Sequence, residues 1–536
     1  MADRTAGARS PREGPTPSLE SLSREQHRIL AYASAVGSEF GFLLLVGALR
    51  MDEERLAEEL ERLVHLGSIA ERTGGELFTF TNEEFRARLY RSLTESRVRV
   101  IHRKIAEALE KMYPEPPLPV LAELGRHCFL GKVRAKSYEY NRRAAEGARA
   151  AGMPEIAVGH LERVLLDLAS LPGDHRNERA EVAEALGDLW YSLSNFRKAD
   201  QRFTQALEQL GAGSPRVRAR LSLSRAEVAR EDLDFATSVT HSMEALRLFE
   251  EVGDRLGVAQ AHRLLGRVAW LRGAYRESLE ECQKALDLVG TTADPRLLGS
   301  LSIDLGNASA SLHPERSDVA IAWYGRAVEQ LQRAGDWFEL SRAYHNLGEE
   351  VGEVRPQDAL EYLEKAQQAA ARSHDNRGVA RALLSRVELH LALGQVGDAE
   401  LDNEQADRML RHISDELGRA WVRLHRGLIA ERRGLWEDAE RAFEQAIETA
   451  QRLQLPPEEA EAAFYLARLR FKVRDLEGAR HAYTIASDLG LAALQPQLAS
   501  QFRDLGRQLG LPRPVLPGEP APIHPGPAES DGKRGS

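Results

Sequence analysis

The chain has 536 residues, 29% of them charged and 6% aromatic, with a formal net charge of −10. That balance excludes a broadly basic nucleic-acid-binding surface. Two distant cysteines, Cys128 and Cys282, exclude a disulfide framework or a cysteine-based zinc site.

Residues 1–18 are rich in Pro, Gly and Ser and are expected to be disordered. They contain no apolar core of the kind a secretion signal needs, and no run of 18 apolar residues occurs later. The expected compartment is the cytoplasm, without membrane contact.

Residues 19–113 form a distinct segment. Ser23 and Gln26 stand in capping-box spacing, which starts a helix through Ile29, Leu30 and Ala33. The apolar stretch Phe40–Leu49 predicts a second helix. Asp52–Leu66 predicts a third, with Leu56, Leu60, Leu63 and Val64 on one face. Ser68–Arg72 and Leu77–Phe80, joined across Thr73, Gly74 and Gly75, predict a β-hairpin. One long helix is then expected to carry Phe85, Leu89, Tyr90, Leu93, Ile101, Ile105 and Leu109. Three helices and a hairpin make a winged-helix pattern. Its third helix would be the DNA reader, but here it presents Glu53, Glu54, Glu58, Glu59 and Glu61. Those carboxylates repel phosphates, so a protein-binding adaptor is expected and nucleic acid is not an expected partner.

Residues 114–490 repeat. A small residue recurs at Ala157, Ala199, Ser238, Ser278, Ala320, Ala359, Ala399, Ala439 and Ala479, a period near 40. Seven residues later, two helical turns on, stand Val164, Ala206, Ala245, Ala285, Ala327, Ala366, Ala406, Ala446 and Ala486. An earlier helix of each unit supplies another small residue: Ala145, Gly187, Ala226, Gly266, Gly306, Gly348, Gly427 or Ala467, with Val387 as the departure. Asp254, Asp336, Asp375 and Asp415 are expected N-caps. Gly273, Gly394 and Gly434 are expected in the turns between the paired helices. Residues 491–509 predict one capping helix, and 510–536, dense in Pro and Gly, a flexible tail.

The sets Leu186-Gly187…Ala199…Phe203…Ala206 and Gly427…Ala439…Phe443…Ala446 resemble the tetratricopeptide repeat. The standard unit has about 34 residues, so these helices are longer. HEAT and armadillo arrays share the period near 40 but do not predict the Leu-Gly and seven-apart Ala pattern. The expected fold is therefore all-α: a superhelical solenoid of about nine helical hairpins, preceded by a small winged-helix-like domain with one β-hairpin.

Phe78–Arg86, Leu89-Tyr90, His102–Glu110 and Leu121–His127 together resemble the region that follows the ATPase module in STAND-class signalling ATPases, including activators of the maltose-regulator type. In that class a winged helix links the nucleotide-binding domain to a helical-repeat sensor. The ATPase would precede residue 19, and no G-x-x-x-x-G-K-[ST] occurs in the chain. The resemblance implies a sensor arm whose ATPase another protein supplies or which was lost.

No sequence pattern marks catalysis or a cofactor. H-E-x-x-H, G-x-S-x-G and the kinase signatures are absent, and the 16 histidines have no ligand spacing. In the resembled family the first helices line a concave groove. Here that face would show Arg220, Arg230, Arg263, Arg267, Trp270, Arg342, His345, Arg381 and Trp421. Guanidinium forks match carboxylates, so the expected ligand is a protein partner offering an acidic peptide. A P-loop ATPase is the alternative partner.

Overall fold

The computed structural model describes residues 22–511, apart from 73–74, 212, 291–293, 353, 412–414 and 492–497. The expectations for residues 1–18, for Thr73 and Gly74, and for the tail after Leu511 lie outside the described residues. The chain divides into two compact units between Leu264 and Leu265.

The first unit opens with α1 (Arg24–Val36), β1 (Glu39–Gly41), α2 (Phe42–Leu49), α3 (Glu53–His65), β2 (Ile69–Glu71) and β3 (Leu77–Phe80). The antiparallel sheet has the order β1-β3-β2, with β3 in the centre. The Ser23–Gln26 capping box is formed. Two sequence expectations change. Phe40–Leu49 is not wholly helical: Phe40 pairs with Phe78 and their rings stack at 6.0 Å, so its apolar side chain is buried through the sheet. The expected long helix is two, α4 (Glu83–Arg91) and α5 (Glu95–Met112). Ser92 folds its hydroxyl back to the Leu89 carbonyl at 2.7 Å, and Thr94 caps the new start by accepting from Arg97 N–H. Short hydroxyl side chains compete with the helix for backbone partners in this way.

Next comes α6 (Leu118–Leu130), joined to α4 and α5 by a buried polar chain. The Tyr90 hydroxyl lies 2.8 Å from His102 Nε2, and His102 Nδ1 lies 2.6 Å from His127 Nδ1. His127 Nε2 stands 3.3 Å from Glu123. The same Nε2 also lies 3.1 Å from the Arg126 guanidinium, so an acceptor and a donor both face it. Both rings are buried.

Paired helices follow: α7 and α8 (Arg134–Ala150, Pro154–Leu168), α9 and α10 (Arg176–Ser192, Phe196–Leu210), and α11 and α12 (Pro215–Glu231, Phe235–Glu251). The division falls inside α13 (Arg255–Leu271). The second unit continues with α14 (Tyr275–Val289), α15 and α16 (Pro295–Leu312, Ser317–Ala334), and α17 and α18 (Trp337–Gly352, Pro356–Arg372). It ends with α19 and α20 (Asn376–Ala392, Val396–Leu410), α21 and α22 (Glu416–Arg433, Trp436–Leu453), α23 and α24 (Pro456–Lys472, Leu476–Asp488), and α25 (Ala499–Leu509).

The predicted small positions are the seams of these hairpins. All nine anchors from Ala157 to Ala479, and all nine residues seven further on, are buried. Asp254, Asp336, Asp375 and Asp415 each accept from a first-turn N–H, at 3.1, 3.2, 2.9 and 2.8 Å. Gly273, Gly394 and Gly434 adopt φ of 76, 75 and 77°. The equivalent turn residue in the α11–α12 hairpin is Leu233, with φ 61° and 68% exposed. An L-residue pays about 1–2 kcal/mol there, partly offset by the greater freedom glycine brings to the unfolded chain. Leu233→Gly is therefore expected to raise stability by about 0.5–1 kcal/mol; an unchanged or lower denaturant midpoint would refute this.

Small residues in first helices sit against one residue of the second helix. Gly187 faces Phe203, Gly266 faces Cys282, Gly306 faces Tyr324, Gly348 faces Leu363 and Gly427 faces Phe443. In two hairpins the first-helix residue is larger and its second-helix counterpart is neither aromatic nor Leu: Val387 corresponds to Asn403 and Ala226 to Ser242, all buried. Ala145 and Ala467 keep large counterparts, Leu161 and Tyr483. Tyr483 stacks on Phe502 of α25, ring centres 4.2 Å apart.

Candidate partner-binding face

The first helices expose a polar stripe, and the nine sequence-derived candidates fare differently on it. In the first unit, Arg220 forks onto Glu184 at 2.6 and 2.7 Å. Arg230 is buried and paired with Glu231, which also accepts from the Tyr191 hydroxyl at 3.1 Å. Arg263 is half-buried. The surroundings here are acidic. The enclosing protein and the neighbouring Glu184 push Asp188 up to about 6.

In the second unit, Arg267 is half-buried, and Trp270 is 37% exposed with its indole N–H donating to Ser311 at 3.0 Å. Arg342 is held by both oxygens of Glu339 in its own helix, at 3.0 Å each. His345 is buried, with Nε2 3.1 Å from Glu349. Enclosure by protein would raise Glu349; His345, Ser385 and Arg381 together hold it below the ordinary carboxylate range.

Adjacent first helices are stitched by side chains one unit apart. Asn346 donates to Asn307 at 2.8 Å and Ser385 to Glu349 at 3.2 Å, while His425 stands 3.1 Å from Glu388. Beyond His425 lies Glu461, which its enclosed setting and Glu388 push up to about 7. A second set of links joins helix starts. Arg216 reaches Asp254 and Arg296 reaches Asp336, both at 3.0 Å, and Arg377 stands 4.0 Å from Asp415.

Arg381 and Trp421 are the two candidates the structure brings to one place. They line a pocket of about 240 Å3. Ala380 and Leu384 of α19, Leu410 of α20, and Leu417 and Gly418 of α21 make its apolar walls. Arg377 and Asp415 complete the lining. Among the described residues Arg381 makes no hydrogen bond or ion pair, and it is exposed. Arg377 and Leu417 are not among the sequence-derived candidates, although each precedes one of them by one helical turn and therefore shares its face.

A tetratricopeptide repeat family model matches residues 217–289. The hairpin array is TPR-like. No curated protein matches the chain. Among solved structures, a STAND protein with a tetratricopeptide-repeat sensor from Pyrococcus horikoshii covers 90% of this chain at 14% identity, TM-score 0.43. The chain spans 66% of that protein's length. A Rap protein complexed with competence and sporulation factor covers 68% of this chain and 99% of its own, at 13% identity and TM-score 0.48. Aspartyl phosphate phosphatase F from Bacillus subtilis covers 66% and 94%, at 11% identity and TM-score 0.46. A TPR-like array suits a protein-interaction scaffold, since stacked hairpins present long side-chain surfaces. No described helix is long and apolar enough to cross a membrane.

Proposed function

We propose that this protein is a non-catalytic scaffold or sensor that holds a protein partner against the first-helix face of its TPR-like array. The observation that carries this reading is the meeting of Arg381 and Trp421 over an apolar pocket. An exposed cation with no hydrogen bond or ion pair among the described residues, beside an aromatic wall, is the composition of an interface anchor site. A second reading, a regulatory arm working in trans with a signalling ATPase, is favoured by the small sheet of order β1-β3-β2 set among α1–α3 before the hairpins, which suits a winged helix.

Partner capture from native extract separates the two readings. The scaffold reading expects a partner retained with or without ATP and reduced at least tenfold by Arg381→Glu with Trp421→Ala, while the helical circular dichroism signal is unchanged. The regulatory-arm reading expects a P-loop ATPase whose recovery depends on nucleotide. Retention of every partner by the double variant would remove this face from the proposal.

A further inference from the structure

We infer that the pocket between α19, α20 and α21 seats one apolar residue of an extended internal peptide segment, with an acidic residue beside it and a basic residue three positions away. This rests on the scaffold reading and names the chemistry of its ligand.

The size of the pocket sets the first element. About 240 Å3 is less than the 300–1,000 Å3 of sites that enclose whole small molecules. It suits one large side chain of a longer ligand. Leu384, Leu410, Leu417 and the Trp421 ring offer that side chain an apolar surround.

The rim sets the second. Arg377 and Arg381 both line the pocket, one turn apart on α19. The lining carboxylate, Asp415, already accepts from Gly418 N–H at 2.8 Å with one oxygen. Its other oxygen stands 4.0 Å from Arg377. Arg381 has no ion pair among the described residues, and the Trp421 indole N–H has no acceptor there. A carboxylate next to the anchor residue supplies the hydrogen-bond acceptor that Arg381 and the indole lack.

The third element lies along the same helix. Glu388 is seven residues after Arg381, so it faces the same way about 10 Å further along α19. It is exposed, beside His425 at 3.1 Å. An extended chain covers about 10 Å in three residues. A cation three positions from the anchor therefore reaches Glu388. Contacts on two sides of the anchor commit the ligand to an internal segment.

The test uses the full chain and synthetic, end-blocked heptapeptides of Gly, read by fluorescence anisotropy. The matched peptide carries Glu, then Leu, at positions two and three, and Lys at position six. The exchanged peptide swaps Glu and Lys. The swap cannot be undone by reversing the binding direction, because each charge keeps its distance from Leu. The matched peptide is expected to bind at least tenfold more tightly than the exchanged one. Arg381→Gln is expected to cut that preference below threefold, and Glu388→Gln to weaken the matched peptide severalfold. Trp421→Ala, or Leu replaced by Ala in the peptide, should abolish measurable binding. Equal binding of matched and exchanged peptides, or no binding by the folded wild-type chain at 1 mM, overturns the inference. Partner capture that still depends on Arg381 and Trp421 would then leave the scaffold reading standing, whereas failure of both experiments would remove it as well.

Discussion

Acidification from pH 7 to 4.5 is expected to loosen the junction of α5 and α6 by about 3 kcal/mol through His102 alone. Burial, then the neighbouring His127 and Arg126, pushes His102 down to about 3. An unfolded histidine takes up its proton near pH 6.5. Between those two values the unfolded state binds more protons than the folded state, so stability falls as pH falls. The contribution is complete above about pH 6.5 and is lost at about 1.4 kcal/mol per unit below it. His127 is lowered too, by burial first, and acts in the same direction. Glu123 is held down at about 2 by His127 and Arg126 against the effect of its enclosure, so its contribution is lost only below the ordinary carboxylate range near 4.5. Loss between pH 6.5 and 4.5 therefore belongs to the histidines. Amide hydrogen exchange, corrected for intrinsic rates, should show α5 and α6 opening more readily at pH 5 than at pH 7. In His102→Gln the segment should be weaker at pH 7 but show a shallower dependence on pH. Equal pH slopes in the two proteins would show that the buried pair does not control this junction.

The hairpin array was legible because its constraint is local and periodic. A small residue is needed wherever two helices touch closely, and each touching point recurs every unit, so Ala199 and Ala206 announce the same seam as Ala439 and Ala446. N-caps were equally readable, since Asp415 satisfies N–H groups only three residues away. The errors arose where tertiary pairing overrides local pattern. Phe40 reads as helical because it begins an apolar run, yet Phe78, far along the chain, draws it into a strand. The candidate face was harder for a different reason. Which side of a helix faces outward follows from periodicity, but what an exposed arginine pairs with does not. Arg220 and Arg381 occupy comparable first-helix positions. Only the fold brings Glu184 to the first, leaving the second beside a pocket. The histidine chain was invisible for the same reason: Tyr90, His102 and His127 come from three helices with no shared spacing.

Gly427→Ala is expected to destabilise its hairpin by about 1–3 kcal/mol, because a methyl group there would overpack the interior. An ideal Cβ on Gly427 would lie 2.5 Å from the Phe443 ring edge, and that ring is fully buried. A closely packed seam cannot yield that much without displacing the helix. If ring size is the cause, Phe443→Leu should relieve it. Alone, Phe443→Leu costs about 1 kcal/mol or more by leaving space, but the double variant should cost clearly less than the two single changes added together. The seventh hairpin provides the converse. Val387 and Asn403 are both buried, and Asn403 donates to the Val422 carbonyl at 3.2 Å. Asn403→Phe should cost about 3 kcal/mol, combining overpacking with a lost hydrogen bond. Adding Val387→Gly should recover much of that, by recreating the Gly–aromatic pairing of the Gly427 hairpin. Because each hairpin is stabilised by its immediate neighbours, the effects should appear as local changes in hydrogen exchange within α19–α22. Strict additivity in both double variants would mean that the glycines and aromatics are independent, and that Val387 departs from the repeat for a reason other than the room left by Asn403.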